Sequence, residues 1–303
     1  MSDNTVFKTE LEERINKINE QIESYLPEEK GHQSTIFEAM NYSVRAGGKR
    51  LRPLFMQEIC RLFTGEVQPT VVPFMAAIEM IHTSSLVHDD LPCMDDDMMR
   101  RGKASTWAEY GEDMGVLAGD ALMIYAFEVA AKAFNEVSEA DDLKRVGRAI
   151  EILAAKTGIY GMIGGQTVDV ELSGGPVPKN KLDFIYRLKT GALIEASVMI
   201  GAVLAGAKEE EIGKMEEIAG KIGLAFQIQD DILDVTSTTE ILGKPVHSDE
   251  KNEKTTYVTW KGLEKAKEEA ARLTEEAVEE LRSIGKECGF MEELLRRLVY
   301  REK

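Results

Sequence analysis

A single bundle of long helices, all-α, is the fold class this sequence predicts, and three observations lead to it. Ala, Leu, Met, Glu and Lys are plentiful while aromatic residues make up only 7% of the chain, a balance that favours helix over strand. No long run alternates apolar with polar at the period of two expected of a half-buried strand. No solenoid-length repeat and no low-complexity linker interrupts the 303 residues. The expectation is therefore one domain over 1–303, although a chain of this length has room for two.

Taken in order, periodicity and breakers predict helices over 5–25, 34–46, 51–64, 70–90, 105–136, 140–163, 178–206, 209–235, 255–284 and 290–301. The breaks sit at AGGK, TGE, SGGPVP and LGKPV. The stretches 74–88, 191–206 and 218–229 carry almost no charge around their whole circumference, so other helices must surround them. Charge-rich terminal helices belong on the outside.

A formal net charge of −17 argues against nucleic acid as a partner, because phosphate backbones are held by basic stripes that release counterions. An anionic ligand must then be held locally, through metals or a few arginines. Cys60, Cys93 and Cys288 are too few and too far apart for a disulfide framework or a cysteine zinc site, and no leader pattern stands at the start. A soluble protein of the reducing cytoplasm is expected. The longest apolar stretches, such as 191–206 with Glu195 inside it, read as too short or too charged to span a membrane.

The segment HDDLPCMDDDMMRRG, residues 88–102, sets five aspartates within nine positions at the end of a nearly uncharged run. At about 100° per residue, His82, Ser85 and Asp89 share one helix face, with Asp90 to its side. Pro92 disturbs the helix, and a loop there lets Asp95 fold back toward Asp89 and Asp90. Two carboxylates ~4 Å apart at an effective dielectric of ~20 repel by ~4 kcal/mol, which demands a protonation shift or a cation. Hard oxygen donors suit Mg²⁺, an ion that keeps waters and bridges a few carboxylates to substrate phosphates.

GLAFQIQDDILD, residues 223–234, repeats the pattern. With Asp230 as zero, Asp234 lies near about 40°, Gln227 near about 60° and Asp231 near about 100°, while Ile228, Ile232 and Val235 take the other side. A solvated helix face explains most charge clusters, but no charge occurs between Lys221 and Asp230, so a ligand face is favoured. Arg100 and Arg101 either neutralise the first cluster or bind phosphate with their planar forks. In AGGKRLRP, residues 46–53, Gly47 and Gly48 permit close backbone approach to an anion while Lys49, Arg50 and Arg52 supply charge. A plain turn with solvated cations is the competing reading.

In that order, and spread over most of the chain, GGKRLRP, SLVHDDLPCMDDDMMRRGK, KTGA and FQIQDDILD resemble the all-trans polyprenyl diphosphate synthases, the short-chain farnesyl and geranylgeranyl type in particular. Asp89 to Asp95 resembles the longer DDxxxxD form of the aspartate motif. Met98, Met99 and Ala104 depart from the common pattern without removing a presumed ligand. The resemblance implies an isoprenoid synthase-like bundle around a central active-site cavity. It implies that Asp89, Asp95 and Asp230, supported by Asp90, Asp231 and Asp234, hold Mg²⁺, three ions per site, against an allylic diphosphate. Arg100, Lys189, Lys244 and Lys254 would contact that diphosphate. Lys49, Arg52, His82 and Arg101 match positions for isopentenyl diphosphate, although a lone His82 would ordinarily be a core histidine. Thr190, Gln166 and Gln227 match polar positions along the reacting allyl group. His88 is read as structural, and a homodimer is implied, for which the helix over 105–136 offers apolar surface.

The implied reaction ionises an allylic diphosphate and joins the cation to isopentenyl diphosphate, with the proton lost to the released diphosphate and no side-chain base. Lys244 and Lys254 would close the polar stretch 236–256 over the site, excluding water. Ser84 and Ser85 stand where chain length would be set: a small residue at Ser84 leaves room, and Met80, Ile81 or Tyr125 then forms the floor. Fifteen or twenty carbons are expected, twenty favoured. A terpene cyclase or head-to-head synthase would lack the GGKRLRP site. A noncatalytic synthase-like partner would be easier to credit with one acidic motif broken, and a purely structural bundle leaves the buried aspartates unexplained.

Overall fold

The computed structural model describes residues 3–173, 175, 177–236 and 255–299. The fold is predominantly a helical bundle. Its contacts cluster into two compact units, Met1–Ile150 and Glu151–Lys303. The first contains α1 Asp3–Glu23, α2 Ser34–Arg45, α3 Leu51–Thr64, α4 Val71–Asp89, a short ribbon of β1 Met99–Arg100 and β2 Lys103–Ala104, α5 Thr106–Tyr110, α6 Glu112–Ala131 and the start of α7 Ala140–Thr157. The second continues with α8 Met162–Glu171, α9 Lys179–Ile185, α10 Ala192–Leu204, α11 Glu209–Thr236, α12 Tyr257–Lys261, α13 Leu263–Ser283 and α14 Gly289–Val299.

The uncharged runs become core helices, as their composition requires. In α4 every residue from Val71 to Ile81 except Val72 is buried, and its partner is α6, which it meets closely because α6 carries glycines. A Cβ on Gly119 would stand 2.1 Å from His88 Nε2 of α4, and one on Gly115 would stand 3.0 Å from Leu91 Cδ2, just past the end of α4, and 2.9 Å from Trp107 Cβ of α5. Every residue of α10 is buried, Glu195 included. That buried carboxylate is paired with Lys156, which also bonds Glu216 at 2.6 Å, as a charge in a helix core must be.

Several predicted helices are divided. The stretch 105–136 breaks at Gly111, whose φ of 98° a side chain would resist, and ends in a 3₁₀ turn over Lys132–Glu136. The stretch 140–163 stops at Thr157, and α8 begins at Met162 beyond the Gly158–Gly161 corner. There a Cβ on Gly161 would stand 1.9 Å from the Lys156 carbonyl oxygen. Gly262, at φ 84°, divides 255–284. The stretch 178–206 holds a π-helical segment, Tyr186–Gly191, which carries Lys189 and Thr190. The β ribbon, which period-two patterning missed, pairs Met99 with Ala104 and Arg100 with Lys103. Its turn places Arg101 at φ 52° and Gly102 at φ 78°, the positive pair that twists a two-residue hairpin correctly.

Two helical stretches, Val71–Asp89 and Glu112–Glu136, are long and apolar enough to cross a membrane by length and composition, the first 72% buried inside the protein. This corrects the expectation that the longest apolar stretches are too short or too charged to span, by length and composition only.

The π segment and α11 touch through a glycine pair. A Cβ on Gly223 would lie 2.9 Å from Gly191 Cα, whereas one on Gly213 of the same helix would meet nothing. Gly223→Ala should destabilise by about 1–3 kcal/mol through overpacking. Gly213→Ala should be neutral or stabilising by up to ~1 kcal/mol. Paired thermal melts check this, and equal melting temperatures for the two variants would contradict it.

Candidate active site

In the first unit, α4 ends at Asp89, before Pro92, and the chain turns back on the helix end. The Asp95 backbone N–H donates to the Asp89 carbonyl at 2.9 Å, and that of Asp97 donates to the Asp90 carbonyl at 3.1 Å. Asp89 is half-buried and Asp95 exposed, and the loop folds the backbone of Asp95 onto the end of the helix. Asp90 is different, at 2% exposure. Arg100 Nε donates to both its oxygens, at 2.9 and 3.1 Å, and Arg100 Nη2 adds a third bond. Burial raises the Asp90 carboxyl above its ordinary value, although the Arg100 fork opposes the rise. Of the two roles open to the arginines, Arg100 here fulfils the neutralising one.

Arg101 turns the other way. Its Nη1 donates to the Gly47 carbonyl, and a Cβ on Gly48 would stand 2.7 Å from its Nη2. The glycines of AGGK thus let the guanidinium lie on the backbone beside Lys49. Arg52 sits half-buried in the first turn of α3, and Lys49 is exposed just before it. Arg50 departs from expectation. It is buried at φ 50°, donating to Glu79 at 2.7 Å, the Val44 carbonyl at 2.8 Å and Asn19 at 2.9 Å. All three of its guanidinium nitrogens are committed to these protein partners.

His82, half-buried on α4, is the focus of these cations. Burial, and then the charges of Arg52, Arg101, Arg50 and Arg100, push its imidazole well below the ordinary value. Ser85 Oγ donates to the His82 carbonyl at 2.9 Å, while Ser84 is wholly buried one position earlier. Met80 and Ile81 are fully buried. Tyr125 gives its hydroxyl to the Tyr25 carbonyl at 2.8 Å. His88 is structural, its Nε2 lying 3.2 Å from the Val116 carbonyl oxygen.

In the second unit, a cavity of about 130 Å³ is lined by Lys189, Thr190, Gln227, Asp231, Tyr186 and Asp169, among others. Lys189 Nζ bonds Asp169 Oδ2 at 2.7 Å, and Thr190 Oγ1 donates to Gln227 Oε1 at 2.8 Å. Asp231 and Asp234 are each 3% exposed, whereas Asp230, turned by about 100° from Asp231, is half-buried. Gln166 is half-buried on α8. Lys244 and Lys254 lie outside the described residues.

Sequence reasoning missed Asp169 and Tyr186. The i, i+3 spacing of Gln166 and Asp169 was a usable signal, hidden because the stretch between the predicted helices 140–163 and 178–206 was assigned no helix, whereas α8 spans Met162–Glu171. Among the described residues, no three His, Cys, Asp or Glu side chains form a ready-made metal cage. The carboxylate oxygens of Asp89 and Asp95 suit a hard cation shared with substrate phosphates.

Clustered carboxylates beside forked and buried cations define a helical protein built to handle phosphate esters. Residues 33–288 match the family model described as Polyprenyl synthetase. The geranylgeranyl diphosphate synthase of Cyanophora paradoxa is 43% identical over 274 residues, which cover 90% of this chain and 89% of that protein. An FPP/GFPP synthase from Zymomonas mobilis, solved in the apo form, superposes with a TM-score of 0.84 at 32% identity over 97% of this chain and 99% of its own. The Helicobacter pylori geranyltransferase complexed with magnesium and isoprenyl diphosphate gives 0.81 at 32% identity, covering 99% of this chain and 97% of its own. The chain belongs to the polyprenyl synthetase family.

His82 sets a pH dependence. Its folded-state value lies well below the ordinary 6.5, so below about pH 6.5 the unfolded chain takes up a proton that the folded protein refuses. The contribution to stability is complete above that value and is lost as pH falls. His82→Gln should flatten the decline of melting temperature between about pH 6.5 and 5; an unchanged slope would contradict the placement of His82 among the arginines.

Proposed function

We propose that this chain is a short-chain trans-prenyltransferase that condenses isopentenyl diphosphate with dimethylallyl, geranyl or farnesyl diphosphate to give a C15 or C20 product. The observation that carries condensation over cyclisation is the cationic group around His82, a second anion site separate from the acidic helix end. One diphosphate is held against carboxylates and needs metals, while the other needs only the protein's own cations. In this reading residues 1–303 act as one catalytic domain.

Asp89, Asp95 and Asp230 would hold the Mg²⁺, three ions per site, and the ions when bound supply the charge that makes diphosphate a leaving group. Arg100, Lys189, Lys244 and Lys254 bind and orient that leaving group. Lys49, Arg52, Arg101 and neutral His82 bind isopentenyl diphosphate; an uncharged imidazole donates one hydrogen bond without adding to the repulsion among the arginines. Thr190 and Gln227, already bonded to each other, and Gln166 line the path of the allylic cation. Apolar helix surface keeps water from it.

A homodimer is part of the proposal. Val116, Leu117 and Ile124 of α6 are exposed, Ile124 by 72%, a surface more apolar than a lone bundle needs. Cys60, Cys93 and Cys288 are all unpaired, in keeping with a reducing cytoplasm.

Incubation with labelled isopentenyl diphosphate and each allylic diphosphate in turn should give a C15 or C20 product that EDTA abolishes. Asp89→Asn should lower kcat by roughly 100-fold or more. A cyclised hydrocarbon, or incorporation only with a second protein present, would overturn the proposal. Ser84→Tyr should shorten the product, and an unchanged chain length would remove Ser84 from the tail's path.

A further inference from the structure

We infer that Asp231 is a positioning residue, tying the Lys189 segment to the Thr256–Tyr257 corner, and is not a metal ligand. Its Oδ2 accepts the Tyr186 hydroxyl at 2.5 Å and the Tyr257 backbone N–H at 2.8 Å. Gln227 Nε2 lies 3.3 Å from Oδ1. These donors come from three separate segments. Tyr186 opens the π segment, three residues before Lys189. Gln227 belongs to α11 and accepts from Thr190. Tyr257 opens α12 behind a Thr256–Thr259 capping box, and the Val177 N–H donates to Thr255 Oγ1 at 3.0 Å on the same corner.

Asp231 is 3% exposed, and a cation on Oδ2 would displace both donors and leave the buried Tyr257 amide only its longer contact, 3.3 Å, to the Tyr186 hydroxyl, which is costly in a low dielectric. Asp230, half-buried on the adjoining face, meets no such conflict through the donors that hold Asp231. The first acidic motif divides its pair alike: Asp90 is buried in the Arg100 fork, and Asp89 stands at the helix mouth. In each DD pair, the second aspartate holds the frame.

The inference rests on reading Lys189 as a diphosphate-binding residue, but its first test needs no substrate. In hydrogen exchange of the ligand-free protein, Asp231→Ala should speed exchange of the Tyr257 amide by about tenfold or more, while Asp231→Asn, which keeps an acceptor oxygen, should change it far less. In steady-state assays, Asp231→Asn and Tyr186→Phe should raise KM for the allylic diphosphate several-fold. The Mg²⁺ concentration for half-maximal rate should move less than about twofold, and Asp230→Asn should raise it about tenfold or more. Unchanged Tyr257 exchange in Asp231→Ala, or a tenfold rise in Mg²⁺ requirement for Asp231→Asn, would overturn the assignment. Loss of all condensation by the unaltered protein would instead overturn the proposed function and leave the exchange result standing.

Discussion

Carboxylates crowded onto otherwise uncharged helices repel one another, and each must find a cation or give up its charge. This chain resolves the conflict in two ways within a few residues. Asp90 is buried and neutralised by a fork from the next segment, and the loop backbone folds Asp95 onto the carbonyl of Asp89. In the proposed function a divalent ion and a diphosphate together relieve the repulsion between Asp89 and Asp95. A full protein cage would satisfy the carboxylates before substrate arrived; an open pair leaves part of the ion's coordination to the phosphate.

Backbone approach sets the geometry around that chemistry. Gly48 lets Arg101 lie flat on the chain, and Gly223 lets α11 meet Gly191 at the end of the π segment. A π segment widens the helix by one residue per turn and re-aims the side chains it carries, and this one carries Lys189 and Thr190. The glycines of GGKRLRP, KTGA and GLAFQIQDD are thus contact points between elements as well as parts of motifs. Arg101 is held in a left-handed conformation that costs a non-glycine residue about 1 kcal/mol, offset by its seat on the Gly47 carbonyl.

Much of this was legible in the sequence because it depends on charge placed where charge is rare. The uncharged runs of α4 and α10, the turn after Asp89 and the polar face of α11 all follow from spacing alone. What was not legible depends on contacts distant in sequence. Arg50 reads like its neighbours Lys49 and Arg52 until Glu79, 29 residues away, claims it. Asp231 reads like Asp230 until Tyr257 approaches. Helix breaks at Gly111 and Gly262 were invisible because an isolated glycine in a periodic run is tolerated as often as it ends a helix.

The proposed function requires the carboxylates of both acidic motifs to serve the same divalent ions. Anomalous scattering from crystals grown with Mn²⁺ and a non-hydrolysable allylic diphosphate analogue tests this directly. The account predicts Mn²⁺ peaks bridged by the diphosphate, with oxygens of Asp89, Asp95 and Asp230 all among their ligands. Peaks bound by one motif alone, with the other motif's aspartates directed elsewhere, would contradict it.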